Sequence, residues 1–258
     1  MGTPPCGGGG VTATVLSLDD VELWSGFKID PVFGNNDWKT IAKAFKTGKN
    51  PDSWKIGDTK SVTLTNGVTY TIRLCDMQVG RYTYADDIGS SKAVFEFVET
   101  VKVGSTTTFP MNTSYTNAGG WANCYMHGTN IPNIEALLPD DMLAAISEVN
   151  VLSGTGSGTS SGTSSSANKL FLPAEMEMFS SKSYSIGNAE CPLGQFDYYK
   201  SHNTNADRVK KDVGTTTRYW LRSPGSGYSS YFCVVETDGS VYYTGATNSH
   251  GVAPIFAI

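Results

Sequence analysis

A mixed α+β fold of antiparallel hairpins, two or three helices and long ordered loops is what this sequence predicts, on three observations. Asp37 to Lys46 carries apolar side chains at helical spacing. Trp54 to Leu74 switches to a period of two on either side of Asn66-Gly67. The last forty residues hold two apolar, strand-like blocks, YWLRSP and GVAPIFAI, around a stretch dominated by Tyr, Ser and Gly.

The elements follow in order. Residues 1–10 read as a flexible tail, and 1–36 as tail plus lead-in to a single domain over 37–258. In DWKTIAKAFK, Trp38, Ile41, Ala42 and Phe45 share one helix face and Asp37 is the N-cap. Val62 and Leu64, then Tyr70, Ile72 and Leu74, form the two arms of a hairpin, with Asn66-Gly67 as a two-residue turn. AVFEFV at 93–98 is a further strand. From Ile134 to Val149 the apolar residues mark an amphipathic helix whose main part starts after Leu138, with Pro139 near its first turn. Ser153 to Ala167 is almost pure Ser, Gly and Thr, and reads as a flexible exposed loop. Lys169 to Phe179 resumes order as a strand into Pro173 and a short helix from Ala174. Tyr231 to Ala246 is a hairpin around Asp238-Gly239, and Val252 to Ile258 is a closing strand.

A chain of 258 residues can bury a sizeable core, and its 28 glycines point to many loops. The net charge of -5 argues against nucleic acid as a partner. No apolar run approaches the roughly 18 residues of a membrane span, so membrane insertion is not expected. No signal-peptide pattern opens the sequence. Cys6, Cys75, Cys124, Cys191 and Cys233 lie far apart with no CxxC pair, which suggests reduced, apolar-like cysteines and neither a disulfide framework nor a zinc site.

Few residues suggest chemistry. His127, His202 and His250 are isolated, and a general-base or metal role needs convergent partners. Asp140-Asp141 most simply puts negative charge in a first helical turn, and Asp86-Asp87 would point to opposite faces of a strand. No catalytic or phosphate-binding motif is present, so no enzyme activity, cofactor or metal is expected. In Asn117-Ala118-Gly119-Gly120-Trp121 the glycines suggest a tight turn delivering a tryptophan to the core. Trp220 reads the same way, and Arg222 reads as a scaffold residue pinning a loop through bidentate hydrogen bonds.

The segment Gly225 to Tyr231 (GSGYSSY) contains no strong core former, and Tyr242-Tyr243-Thr244-Gly245 adds two adjacent tyrosines expected on opposite faces. Tyrosine offers large contact area at low conformational cost, while Ser and Gly adapt to a partner. This end of the chain therefore reads as a recognition surface.

WKIGDTKSVTLTNGVTYTIR at 54–73, MNTSYTNAGGW at 111–121, LFLPAEMEMF at 170–179 and the terminal YWLRSP…FCVV…DG…GVAPIFAI together resemble the variable proteins of diversity-generating retroelements of gut bacteria and their phages. The resemblance covers roughly 37–258 and implies a C-type-lectin-like fold with a C-terminal ligand-binding face at about 219–258. In such families a reverse transcriptase rewrites adenine-rich codons. It implies, as variable ligand-binding positions reachable from an Asn codon, Ser226, Gly227, Tyr228, Ser229, Ser230, Tyr231, Val234, Tyr242, Tyr243, Thr244, Gly245 and His250. Glu236 is not reachable in that way, which marks the hairpin tip as fixed.

The implied partner is a protein or glycan receptor on a cell surface, met by a virion tail or a bacterial surface protein displayed as a homo-oligomer where single-site affinity is modest. The same fold hosts formylglycine-generating oxidases and calcium-dependent lectins, but the cysteine spacing and the lack of calcium motifs speak against both. A structural virion protein is a further alternative.

Overall fold

The computed structural model describes residues 28–160 and 162–258. The expected tail at 1–10, Cys6 and most of the lead-in lie outside the described residues. The described part of the lead-in already belongs to the domain. Phe33 is buried with its ring edge-on to Trp54 at 5.3 Å, and the Asn36 amide donates to the carbonyls of Asp30, Val32 and Phe33. The ordered domain thus begins before residue 37.

The first helix, Trp38–Lys46, is capped as expected: the Asp37 carboxylate accepts from the Thr40 amide at 2.6 Å. Its buried face is Trp38, Ile41, Ala42, Ala44 and Phe45. Strands β1 (Thr59–Thr63) and β2 (Thr69–Asp76) form the first hairpin, with Val62 opposite Tyr70. Its turn differs from the two-residue form. Gly67 (φ 81°) donates to Leu64 and Leu64 donates to Val68, which closes a three-residue loop ending in a left-handed glycine.

Two short pieces, β3 (Thr83–Tyr84) and β5 (Phe109–Pro110), flank β4 (Val94–Phe97). Short helical turns at Trp121–Asn123, Met126–Asn130 and Ile131–Glu135 precede the helix Asp140–Ala145. Pro139 is the N-cap of that last helix, and Asp140 and Asp141 sit in its first turn. The amphipathic pattern therefore divides into two short helices instead of one, and its last apolar residue, Val149, opens a strand.

Strands β6 (Val149–Gly154) and β7 (Thr163–Asn168) pair along six residues, from Val149 opposite Asn168 to Gly154 opposite Thr163. The Ser/Gly/Thr-rich segment is thus largely a hairpin, not a flexible coil. Its serines satisfy their backbone groups in the ladder, which a low-hydrophobicity segment can do when a neighbouring strand carries the apolar face. Beyond β8 (Leu170–Phe171) come helices Glu175–Met178, Asp197–Ser201 and Asn205–Arg208, then β9 (Lys210–Asp212) and β10 (Thr215–Thr217). The C-terminal region supplies β11 (Tyr219–Pro224), β12 (Tyr231–Val235), β13 (Val241–Gly245), β14 (Ser249–His250) and β15 (Ile255–Ala257).

The architecture is mixed α+β, with every ladder between these strands antiparallel. The main sheet runs β1-β2-β4-β15-β8; smaller sheets are β3-β6-β7, β11-β12-β13, β5-β14 and β9-β10. The last strand lies inside the main sheet, with Phe256 opposite Phe95 on β4 and Leu170 on β8. There the Phe95 and Phe256 rings stack at 5.2 Å and Trp38 closes edge-on over both. Each such buried aromatic contributes about 1.5–3 kcal/mol from burial.

A buried ionic knot ties β9 and the helix Asp197–Ser201 to this sheet. Glu96 on β4 accepts from Arg73 at 2.6 Å, from Lys210 at 2.8 Å and from the Tyr199 hydroxyl at 2.8 Å. Burial alone would raise the Glu96 pKa, but the two cations hold it down at about 2. Cys75, Cys124, Cys191 and Cys233 are buried free thiols.

Candidate functional site: a tyrosine face on a buried polar frame

The connection from β11 to β12 is shaped by its glycines and by one asparagine. Gly225 donates to Tyr231 at 2.8 Å and Gly227 (φ 79°) takes the left-handed conformation that lets the loop reverse. Asn117, fully buried, holds this loop from the side. Its Nδ2 donates to the carbonyls of Tyr228 at 2.7 Å and Tyr231 at 2.8 Å, its own backbone amide donates to Ser229 at 2.9 Å, and its Oδ1 accepts from Ser157 at 2.8 Å. One side chain thus clamps the β11–β12 loop to the tip of the β6–β7 hairpin. Gly120 follows at φ 60°, where a Cβ would overlap the Gly154 carbonyl, and Trp121 enters the core with its Nε1 donating to Asn168 at 3.0 Å.

A second clamp lies on the other side of the loop. Glu175, fully buried, accepts from the backbone amides of Ser183 (2.6 Å), Tyr184 (3.2 Å) and Ser185 (2.7 Å). That turn presents Tyr184, whose carbonyl accepts from Ser226 at 2.6 Å. Under both clamps runs Arg222 on β11, fully buried and bidentate to Glu177 at 2.5 and 2.8 Å, with further donations to Leu152 and Leu172 carbonyls. The Tyr82 hydroxyl completes the Glu177 shell at 2.7 Å. Glu190 lies nearby with its Oε2 accepting from Ser223 at 2.5 Å. Burial, against the Ser223 hydrogen bond and the Arg222 charge and with Glu175 and Glu177 as like-charged neighbours, pushes the Glu190 carboxyl up to about 7.

On this frame six tyrosines from four chain segments meet at one face. Tyr228 stacks on Tyr243 at 4.7 Å, Tyr243 stacks on Tyr242 at 4.9 Å, and Tyr231 leans on both Tyr228 (5.4 Å) and Tyr243 (5.2 Å). Tyr184 meets Tyr243 edge-on at 4.7 Å, and Tyr115 meets Tyr231 edge-on at 5.8 Å. Tyr115 (57 % exposed), Tyr242 (46 %) and Tyr228 (39 %) are among the exposed large hydrophobic side chains of the described residues. The expectation of opposite faces for Tyr242 and Tyr243 does not hold: their rings lie against each other and neither is core.

The proposed variable positions divide accordingly. Gly227, Tyr228, Ser229 and Tyr242 are exposed, and Ser226, Ser230, Tyr231, Tyr243 and Thr244 are half-buried around them. Three positions do not fit a contact surface. Val234 is fully buried between the neighbouring strands. Gly245 is buried beneath the Tyr115 ring, which any side chain there would strike. His250 is half-buried against Trp220 at 4.8 Å with its Nε2 unpartnered, and burial together with the Arg218 charge pushes its pKa down to about 4. Inward-facing strand residues carry core packing whatever their codons, which is why a codon criterion admits them. Trp220 belongs to the frame as expected, its Nε1 donating to Phe109 at 2.7 Å.

Tyr115, Tyr184 and the carboxylates Glu175, Glu177 and Glu190 were not singled out from the sequence, and Asn117 was named only as part of the turn before Trp121, not as a clamp. Their burial or convergence depends on long-range contacts with no local pattern. His127 rests on Trp121 and His202 stacks on Tyr198 at 4.2 Å, so the three histidines do not converge. Among the described residues no group of three or more His, Cys, Asp or Glu side chains is arranged to hold a metal ion, and no helix is long and apolar enough to cross a membrane.

The model of a family described as a domain of unknown function, DUF6273, matches residues 102–258. No curated protein and no solved structure matches the chain. The matched span holds all six tyrosines, both clamps and the Arg222–Glu177 pair, whereas β1, β2 and β4 of the main sheet precede it.

Proposed function

The chain belongs to the DUF6273 family, and we propose that it is a receptor-recognition protein whose C-terminal face is diversified by a retroelement on a C-type-lectin-like fold. The observation that carries this reading is the separation of face from frame. Six neighbouring tyrosines stand at a surface whose backbone is fixed by buried groups, Asn117 and Glu175, that lie outside the diversified stretch. Such a design lets contact residues change while the loop keeps its path. Rigid aromatics with Ser and Gly between them suit recognition of a protein or glycan receptor. By this reading the diversified positions are Ser226, Gly227, Tyr228, Ser229, Ser230, Tyr231, Tyr242, Tyr243 and Thr244, on a phage tail or a bacterial surface, and no chemical step is catalysed.

Sequencing the genomic neighbourhood tests this. A reverse transcriptase gene and a near-copy of the segment encoding β11 to β15, differing from it at adenines, are expected. The absence of both would overturn the retroelement reading.

A further inference from the structure

Among the described residues, two strands of six residues lie at the edge of a sheet, β7 and β11. The outer edge of β11 is covered, because the Trp220 and Arg222 amides donate to the carbonyls of Gly251 and Pro173, each at 3.0 Å. The outer edge of β7 is open. Thr155 donates to Gly162 at 2.9 Å where the β6–β7 hairpin closes, and that bond sets the alternation along the ladder. Ser164, Ser166 and Asn168 turn their backbone groups toward β6, so Thr163, Ser165 and Ala167 turn theirs away from it. On that outer side no backbone hydrogen bond within the described residues meets Thr163, Ser165 or Ala167, and all three are exposed.

Sheet edges are ordinarily guarded by a charge, a proline, a bulge or very short length. β1 carries Lys60 in mid-strand, and β3 and β8 are two residues long. β7 has no such guard. Its sequence TSSSAN holds no charge and no proline, and its register with β6 runs unbroken from Thr163 to Asn168.

We propose that β7 pairs with the β7 of a second copy of this chain, antiparallel about a two-fold axis at Ser165, which joins two β3-β6-β7 sheets edge to edge. The symmetry of the edge favours a second copy over a foreign strand. With Ser165 opposite Ser165, Thr163 of each chain falls opposite Ala167 of the other, and every outward N–H meets an outward carbonyl. These side chains are small and uncharged, so no like charges meet at the axis. A single strand pair buries little area, so the dimer is weak and reversible. The hairpin tip is tied through Asn117 to the β11–β12 loop, so the pairing also fixes two tyrosine faces relative to each other. It needs no diversified residue and no receptor.

Sedimentation of the full chain from about 1 μM to about 1 mM tests the proposal, and a reversible dimer is expected within that range. Thr163→Lys with Ala167→Lys sets like charges opposite each other across the axis and should weaken the dimer about tenfold. Thr163→Lys with Ala167→Glu sets opposite charges at the same places and should restore it. Both positions are exposed, so neither pair of substitutions disturbs the core. A chain that stays monomeric throughout, a dimer that the Lys/Lys variant leaves intact, or a Lys/Glu variant no tighter than the Lys/Lys variant would overturn the proposal.

Discussion

Tyr228 and Tyr243 lie ring on ring, 4.7 Å apart and 25° from parallel, with the Tyr243 hydroxyl donating to that of Tyr228 at 3.3 Å. The proton shared in that hydrogen bond must be lost for Tyr243 to ionise, and the bond, with burial and the neighbouring phenols, raises its pKa to about 12. In an NMR titration of labelled tyrosine, Tyr243 should remain neutral past pH 11, and Tyr228→Phe should bring its midpoint back toward the ordinary value of 10. An unchanged midpoint in the variant would show that the hydrogen bond does not form.

Replacing Tyr228, Tyr231, Tyr242 and Tyr243 together by Ala should remove the face and leave the frame. None of the four belongs to the buried core, and the loop path is held by Asn117 and Glu175. Thermal melting should show a small change, and on the proposed reading receptor binding should be lost. A fall in Tm comparable to that of a core aromatic deletion would place these rings in the fold's foundation instead.

Asn117→Ala should cost about 2 kcal/mol in urea denaturation, because the Tyr228 carbonyl and the Ser157 amide lose this partner at once and the Tyr231 carbonyl is left with the Gly225 amide alone. Asn117→Asp keeps the acceptor for Ser157 but loses both donors, so it should destabilise as well. Retained stability in both variants would mean that water replaces the amide.

Arg222→Ala should destabilise by about 3–5 kcal/mol, since it leaves Glu177 ionised and buried with one cation removed. Arg222→Lys should rescue little of this. A single ammonium cannot serve the Glu177 carboxylate and the Leu152 and Leu172 carbonyls in one plane. Near-normal stability of the Lys variant would show that the fork geometry is dispensable.

Glu190 should make stability fall as pH rises. Its carboxyl titrates near 7 in the fold and near 4.5 when unfolded, so the folded state holds the proton more tightly. Its contribution is fully present below pH 4.5 and lost as pH climbs through 7, a change on the order of 3 kcal/mol. Glu190→Gln should flatten that slope in denaturation curves taken from pH 4.5 to 8, and an unaltered slope would contradict it.

Much of the fold was legible because its elements carry local patterns. The Asp37-capped helix, both hairpins with their Gly67 and Gly239 turns, and the tryptophans at 121 and 220 announce themselves through spacing, capping and glycine placement. The Ser/Gly/Thr hairpin did not, because its strand character comes from pairing with Val149 and Val151, not from its own apolar content. The face was legible in half. Tyr228, Tyr231, Tyr242 and Tyr243 cluster in sequence, whereas Tyr115 and Tyr184 reach them only through the tertiary fold. Val234 and Gly245 looked variable until strand alternation and the Tyr115 ring were in place.

The insertion of β15 between β4 and β8 has a consequence for inheritance. Everything from Ser226 to Gly245 is translated before the strand that joins β8 to β1, β2 and β4 in the main sheet. A copying error that shifts the reading frame in this stretch scrambles Ile255, Phe256 and Ala257 and leaves the sheet divided. The strand thus acts as a checksum on the message upstream of it: only a chain whose reading frame is intact through β13 completes the main sheet.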